Sequence, residues 1–435
     1  MYTVLIMNSI KNFIRTYKAE LLLFTLSLTV HAIVFAIAVQ VHGGSVIDAV
    51  RGADGYFELA QNVIAGNGFS MSATTPYAPN PLRTPGYVYV LSVLIATLGV
   101  TGASIIQLIV ASAIPIFGMH IARIITESRG IGVLTGVILA LDPTLALLSF
   151  EFFTDTLFLL LFLPWLLLTF RYLERRDLAT LTMSAILLGL AILVRPVVQY
   201  IPFVVTLCIL WSFGRDTWRR GLLHSALYLL VIGAILAPWI VRNIHEFGVP
   251  GLSAQTPYVL FTNLAPAVLS VAHTSDFQFE RQNFMTEAES DGNVITLANG
   301  GGYTGRAIEV VRAHPLATTY IAVKSLFTFF TNDGFYTLIT LTGRAPADFF
   351  LLLIMTRLVW IAITCAACIG AVIYLFAKRS PRTILVVFLV VYFALTSCIA
   401  AFGTNPRYRL PVDPIIIAFA ALGVLYIRER VRARR

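Results

Sequence analysis

Two aspartates and five arginines are the side chains best placed to do chemistry in this chain. Asp54 lies in RGADGYFELAQNVIAGNGFS (51–70), just past the first long apolar run. Asp155 lies in FEFFTDTLFLLLFL (150–163), at the mouth of another. A carboxylate at a membrane boundary is costly unless it is partnered or functional. Two readings of Asp54 stand side by side: it could cap the helix that GYFELAQNVIAG should form, with Glu58 a first-turn charge, or it could serve a site. The arginines are Arg83 in NPLRTPGYVYV, Arg195 in LAILVRPVVQY, Arg242 in LAPWIVRNIHEFG, and Arg407 and Arg409 in GTNPRYRLPVDP. Each falls at the end of an apolar run. Interfacial anchoring is the ordinary use of such residues. Several converging on one membrane face point instead to an anionic ligand, since Arg suits bidentate contact with phosphate.

These residues are positioned by apolar helices. The 435 residues are 58% hydrophobic and only 12% charged, where a soluble chain would carry about a quarter charged residues. The pattern predicts an all-α polytopic membrane protein. Runs near 20–42, 102–122, 131–150, 154–171, 178–194, 197–213, 221–241, 349–376, 383–402 and 411–427 predict about ten crossings. The net charge of +9 sits in short basic connections and in the tail RERVRARR. It reads as an orientation signal rather than nucleic-acid affinity. Six such clusters, including those at Arg123/Arg129, Arg171–Arg176 and Lys378–Arg382, are expected on the inside, together with both termini. Parity then lays 86–100 along the outer face as an interfacial or re-entrant helix. It leaves 316–341 either on that face or making an even number of crossings.

The expected organisation is one integral-membrane unit over 1–425, with a first outer loop at 43–101, a second at 242–348, and a basic cytoplasmic tail at 426–435. Residues 21–41 read as an uncleaved anchor rather than a signal peptide. The most polar stretch is 273–307. Cys208, Cys365, Cys368 and Cys398 all fall in apolar runs and read as packing residues, Cys365-x-x-Cys368 included. There is no P-loop and no Gly-x-Ser-x-Gly elbow, and the seven His are scattered without metal-ligand spacing. NGGGYTG (299–305) follows no strand and reads as a flexible loop. No inside domain is left to bind a nucleotide.

Together the landmarks resemble the membrane glycosyltransferases of the C superfamily, in the bacterial branch related to dolichyl-phosphate-mannose protein mannosyltransferases and the lipid A aminoarabinose transferase. ADGYFELAQNVIAGNGFS is similar to that family's first outer loop, and PNPLRTPGYVYVL to the turn into its lateral helix. LDPTLALLSFEFFTDTLFLLLFL resembles the second acidic boundary, and LVRP, APWIVRNIHEFG and NPRYRLPVDPII follow in the family's order. The resemblance runs from about residue 20 to 425.

It implies a polyprenyl-phosphate-linked sugar as donor, and an acceptor glycan, lipid or protein. Membrane lipids would be partners; nucleic acid would not. The site would face the periplasmic or extracellular side of a bacterial inner membrane. By the resemblance, Asp54 would be the general base on the acceptor hydroxyl, transferring the sugar with inversion. Asp155 or Glu58 would supply a second acidic site, with Glu151 a competing neighbour. Arg83 would contact the donor phosphate, with Arg407, Arg409, Arg195 and Arg242 as further candidates. No cofactor is implied; the divalent metal that some distant relatives hold at paired acids is not favoured here. The main competing reading is a transporter or flippase of a lipid-linked or anionic substrate. It would call for internal repeats and broken mid-membrane helices, and Asp142-Pro143 and Arg357 are its best support. A non-catalytic assembly subunit, and an O-antigen ligase or polymerase, stand behind it.

Overall fold

The computed structural model describes residues 16–290 and 294–433, and every regular element among them is helical. In chain order the helices are α1 Lys18–Val41, α2 Val46–Val50, α3 Tyr56–Ile64, α4 Pro85–Ala111, α5 Ile114–Thr126, α6 Arg129–Ala140, α7 Pro143–Leu148, α8 Asp155–Arg175, α9 Leu178–Val194, α10 Ile201–Phe213 and α11 Trp218–Phe247. They continue as α12 Gln255–Val259, α13 Ala265–His273, α14 Phe277–Ser290, α15 Gly300–Ala313, α16 Pro315–Thr331, α17 Phe335–Leu341, α18 Phe350–Ala377, α19 Pro381–Ser397 and α20 Asp413–Ala433. Among the described residues, seven helical stretches are long and apolar enough to cross a membrane, and α6 and α9 are shorter apolar helices. The protein is all-α and polytopic.

Local chemistry sets many helix starts. Ser128, Asp142, Asp177 and Ser380 each accept a hydrogen bond from a backbone N–H of the first turn they precede. Proline opens α4, α7, α16 and α19, where its missing N–H costs nothing.

Inside a bilayer, helices gain little from hiding apolar surface and associate through close packing. The α18–α20 crossing shows this. A Cβ built on Gly370 would lie 1.8 Å from the Phe419 carbonyl oxygen, and one on Gly423 would lie 2.1 Å from that of Ala366. Only glycine admits backbones this close. The aromatic core around α8 (Phe158, Phe162, Trp165, Phe170) is fully buried, and the Trp165 indole donates to the Tyr228 hydroxyl at 3.0 Å.

Three expectations change. The run 131–150 is not one helix: α6 stops at Ala140, and Asp142, extended before Pro143, caps α7 through the Leu145 N–H at 2.8 Å. A residue before proline is pushed out of the helical region. The division between 86–100 and 102–122 also falls elsewhere. α4 runs through both with a kink at Gly99, and the break comes at Ser112 and Ala113. The expected flexible loop NGGGYTG opens α15. Gly300 has no room for a Cβ beside Pro257, and Tyr303 is buried against Phe261, so packing overrides the weak helix propensity of three glycines. The basic tail continues α20 as helix through Ala433.

Three of the basic connections meet at one end of the bundle. Lys378 pairs with Glu127 and Arg382 with Glu174, joining the connections at 127, 174 and 378–382.

Candidate active site

Five connections between the long helices bring distant charges together around Asp54. The residue sits between α2 and α3. Gly55, not Asp54, is the N-cap of α3; its φ of 75° is left-handed, and no side chain caps this helix. The Asp54 carboxylate is therefore free to reach across the bundle. Oδ1 accepts from Arg83 Nη2 at 3.4 Å, and Oδ2 accepts from Arg407 Nη1 at 3.3 Å.

Each arginine is aimed by its backbone. Asn80 Oδ1 accepts from the Leu82 and Arg83 N–H groups, forming a turn ahead of Pro85, and the Arg83 guanidinium lies 5.0 Å from the Tyr56 ring centroid. Arg407 sits in the 3₁₀ turn Pro406–Tyr408, where Asn405 Oδ1 accepts from its N–H. Its guanidinium packs on Phe153 and Tyr408. The Nε atoms of Arg83 and Arg407 are buried donors with no acceptor among the described residues.

Asp155 begins α8 and is almost completely buried. It pairs with Arg195, which leaves the helical conformation at the end of α9, just before Pro196. Arg195 also stacks on Phe158 and Tyr408.

Asp54, Arg83, Arg195 and Arg407 line one cavity of about 190 Å³. Its lining mixes apolar side chains, among them Phe158, Val197, Phe393 and Ile399, with uncharged polar ones, Gln255, Thr256, Thr396 and Ser397. Three guanidinium groups and one carboxylate in the cavity wall, beside apolar side chains, make a site suited to an anion joined to an apolar tail.

Three other sequence candidates lie elsewhere. Glu58 pairs with the exposed Arg51 at 2.5 Å. Arg409 is fully buried: it donates to Asp413 at 2.6 Å and to the Phe329 carbonyl at 2.9 Å, and it stacks 3.6 Å from the Trp360 ring centroid. Arg242 packs on Trp239 and Phe247 and donates to Asn243. None of the three lines the cavity. Sequence reasoning did not single out Gln255, Tyr56 or Tyr408; uncharged polar and aromatic residues in an apolar chain carry no signal of their own. Among the described residues, no three His, Cys, Asp or Glu groups converge as a metal cluster.

Glu151, in the connection before α8, faces the same charges. Burial pushes its carboxyl from 4.5 up to about 7; Arg407 opposes the rise, and Asp155 and Asp54 add to it. A carboxyl raised in the folded state contributes stability below its unfolded value, and that contribution is lost as pH rises through the folded one. Glu151→Gln removes the titration. The melting temperature of the Gln variant should therefore gain on wild type between pH 5 and 8, measured in detergent. A constant difference across that range would place Glu151 in a solvated setting.

Residues 82–242 match the family model described as dolichyl-phosphate-mannose-protein mannosyltransferase. No curated protein matches the chain at a significant level. Among solved structures, the chain is similar to the archaeal oligosaccharyltransferase AglB from Archaeoglobus fulgidus, in complex with an inhibitory peptide and a dolichol-phosphate. Identity is 15% and the TM-score 0.46, over 94% of this chain and 51% of that one. An Archaeoglobus fulgidus oligosaccharyltransferase tethered to an acceptor peptide containing the NVT sequon gives 15% and 0.47, over 98% and 51%. ArnT from Cupriavidus metallidurans in the apo state gives 15% and 0.35, over 86% and 74%. The chain spans about half the length of the archaeal chains it matches. Residues 82–242, which hold Arg83, Asp155, Arg195 and Arg242, thus match the family model that the order of the sequence landmarks implied.

Proposed function

We propose that this protein transfers a sugar from a polyprenyl-phosphate-linked donor to an acceptor hydroxyl, on the outer face of a bacterial inner membrane. The observation that carries the reading is the Asp54 carboxylate, held between Arg83 and Arg407 on the wall of an amphipathic cavity. The acceptor oxygen attacks the anomeric carbon and its proton passes to Asp54, while the bond to the phosphate oxygen breaks. Direct displacement inverts the anomeric centre. The leaving group departs as a lipid phosphate, stabilised by guanidinium groups rather than by a general acid.

The geometry supports a coupling between these roles. The contacts of Asp54 with the two arginines, 3.3 and 3.4 Å, are long for charge-assisted hydrogen bonds. A donor phosphate competes for both guanidinium groups, and drawing them away leaves the carboxylate oxygens open to the acceptor proton. In this reading the base is readied by donor binding.

The test is transfer of label by the purified protein from polyprenyl-phosphate-linked radioactive sugars to membrane acceptors. Label should move without any nucleotide-sugar, with inverted anomeric configuration, and in EDTA as well as in buffer. A protein that transfers only from nucleotide-sugars, or with retention, does something else.

A further inference from the structure

Gln255 belongs to the long connection after α11, the part of the chain with the least sequence pattern, yet it is held firmly. The Ala254 N–H donates to the Pro81 carbonyl at 2.8 Å, and the Ser253 hydroxyl donates to that of Leu82. The Trp239 indole donates to the Leu252 carbonyl and the Asn243 amide to that of Gly251. The Gln255 N–H itself donates to Ser253 Oγ at 2.9 Å. A surface strap is thereby fastened to the turn that carries Arg83.

The Gln255 side chain then has a fixed polarity. Arg83 Nη1 donates to Gln255 Oε1 at 3.3 Å. A guanidinium has donors only, so the atom facing it must be the amide oxygen, and the NH₂ occupies the other branch. That NH₂ has no acceptor among the described residues, and Gln255 and Thr256 line the cavity. An ammonium has donors only and cannot pair with that NH₂; a hydroxyl oxygen can accept from it.

We infer that Gln255 reads the donor sugar, its Nε2 donating to a ring hydroxyl of an uncharged hexose or pentose. The inference rests on the transferase reading above and names the chemistry of its sugar.

Gln255→Met tests it, since the residue is only partly buried and Asp54 still holds Arg83 in the variant. Binding to the detergent-solubilised full chain is measured with polyprenyl phosphate alone, with polyprenyl-phosphate-linked uncharged hexoses and pentoses, and with the amino-sugar lipid. The variant should bind the best uncharged-sugar lipid about tenfold more weakly, the effect of one hydrogen bond, and the sugar-free lipid within about threefold of wild type. Equal losses on both lipids, or none, overturn the inference, because Gln255 would then act only through Arg83 or not at all. A wild type that prefers the amino-sugar lipid overturns it while leaving the transferase reading intact. A wild type that binds none of these lipids removes both.

Discussion

Asp54→Asn is expected to lower turnover by about 10²–10⁴-fold, the usual contribution of a positioned general base, while the donor KM stays the same or falls. Asn keeps the shape of the side chain but cannot take the acceptor's proton. It also ceases to compete with the donor phosphate for Arg83 and Arg407. This combination of lost turnover and kept or tightened donor binding separates a base from a structural residue. A structural loss would raise KM or lower the melting temperature. Steady-state transfer kinetics with a lipid-linked donor, read beside thermal melting, decide between them. Full transfer by the Asn variant would remove Asp54 from the chemistry.

Asp155→Ala is expected to be the most destabilising single change at the site. Removing one partner of a buried ion pair leaves the other charge uncompensated, at a cost of about 3–5 kcal/mol. Asp155 is 2% exposed, and the side chain of Arg195 is largely buried as well. Glu58→Ala breaks the pair with the exposed Arg51 and should cost under about 1 kcal/mol. The double variant Asp155→Ala with Arg195→Met should recover much of the loss, because no lone buried charge remains. The measurement is the melting temperature of each variant in the same detergent. If Asp155→Ala and Glu58→Ala shift it equally, the Asp155–Arg195 pair is solvated and does not organise the site.

Charge scarcity is what made much of this site legible. In a chain with 12% charged residues, an aspartate or arginine at a helix end stands out. Asp54, Arg83, Asp155, Arg195 and Arg407 were all visible that way, and the structure brings them within one cluster. The helices were legible for a related reason: a backbone in lipid must satisfy its own hydrogen bonds, so long apolar runs become helices whatever their neighbours. Proline and capping residues then set many of the ends.

What stayed hidden depends on contacts between residues far apart in the chain. Arg407 and Arg409 are two residues apart and look equivalent in sequence. The 3₁₀ turn at Pro406–Tyr408 sends one to Asp54 and the other to the buried Asp413 and Trp360. Asp54 fits a helix cap by spacing, but a left-handed Gly55 takes that place and the carboxylate finds a partner 353 positions away. Gln255 gave no signal, because an amide gains meaning only from the arginine that orients it. Sequence alone determined which long apolar runs are helical and which charges are too costly to be incidental, since both follow from local solvation. The packing of the helices decided which of those charges meet, because a site assembled from several loops exists only once the bundle has closed.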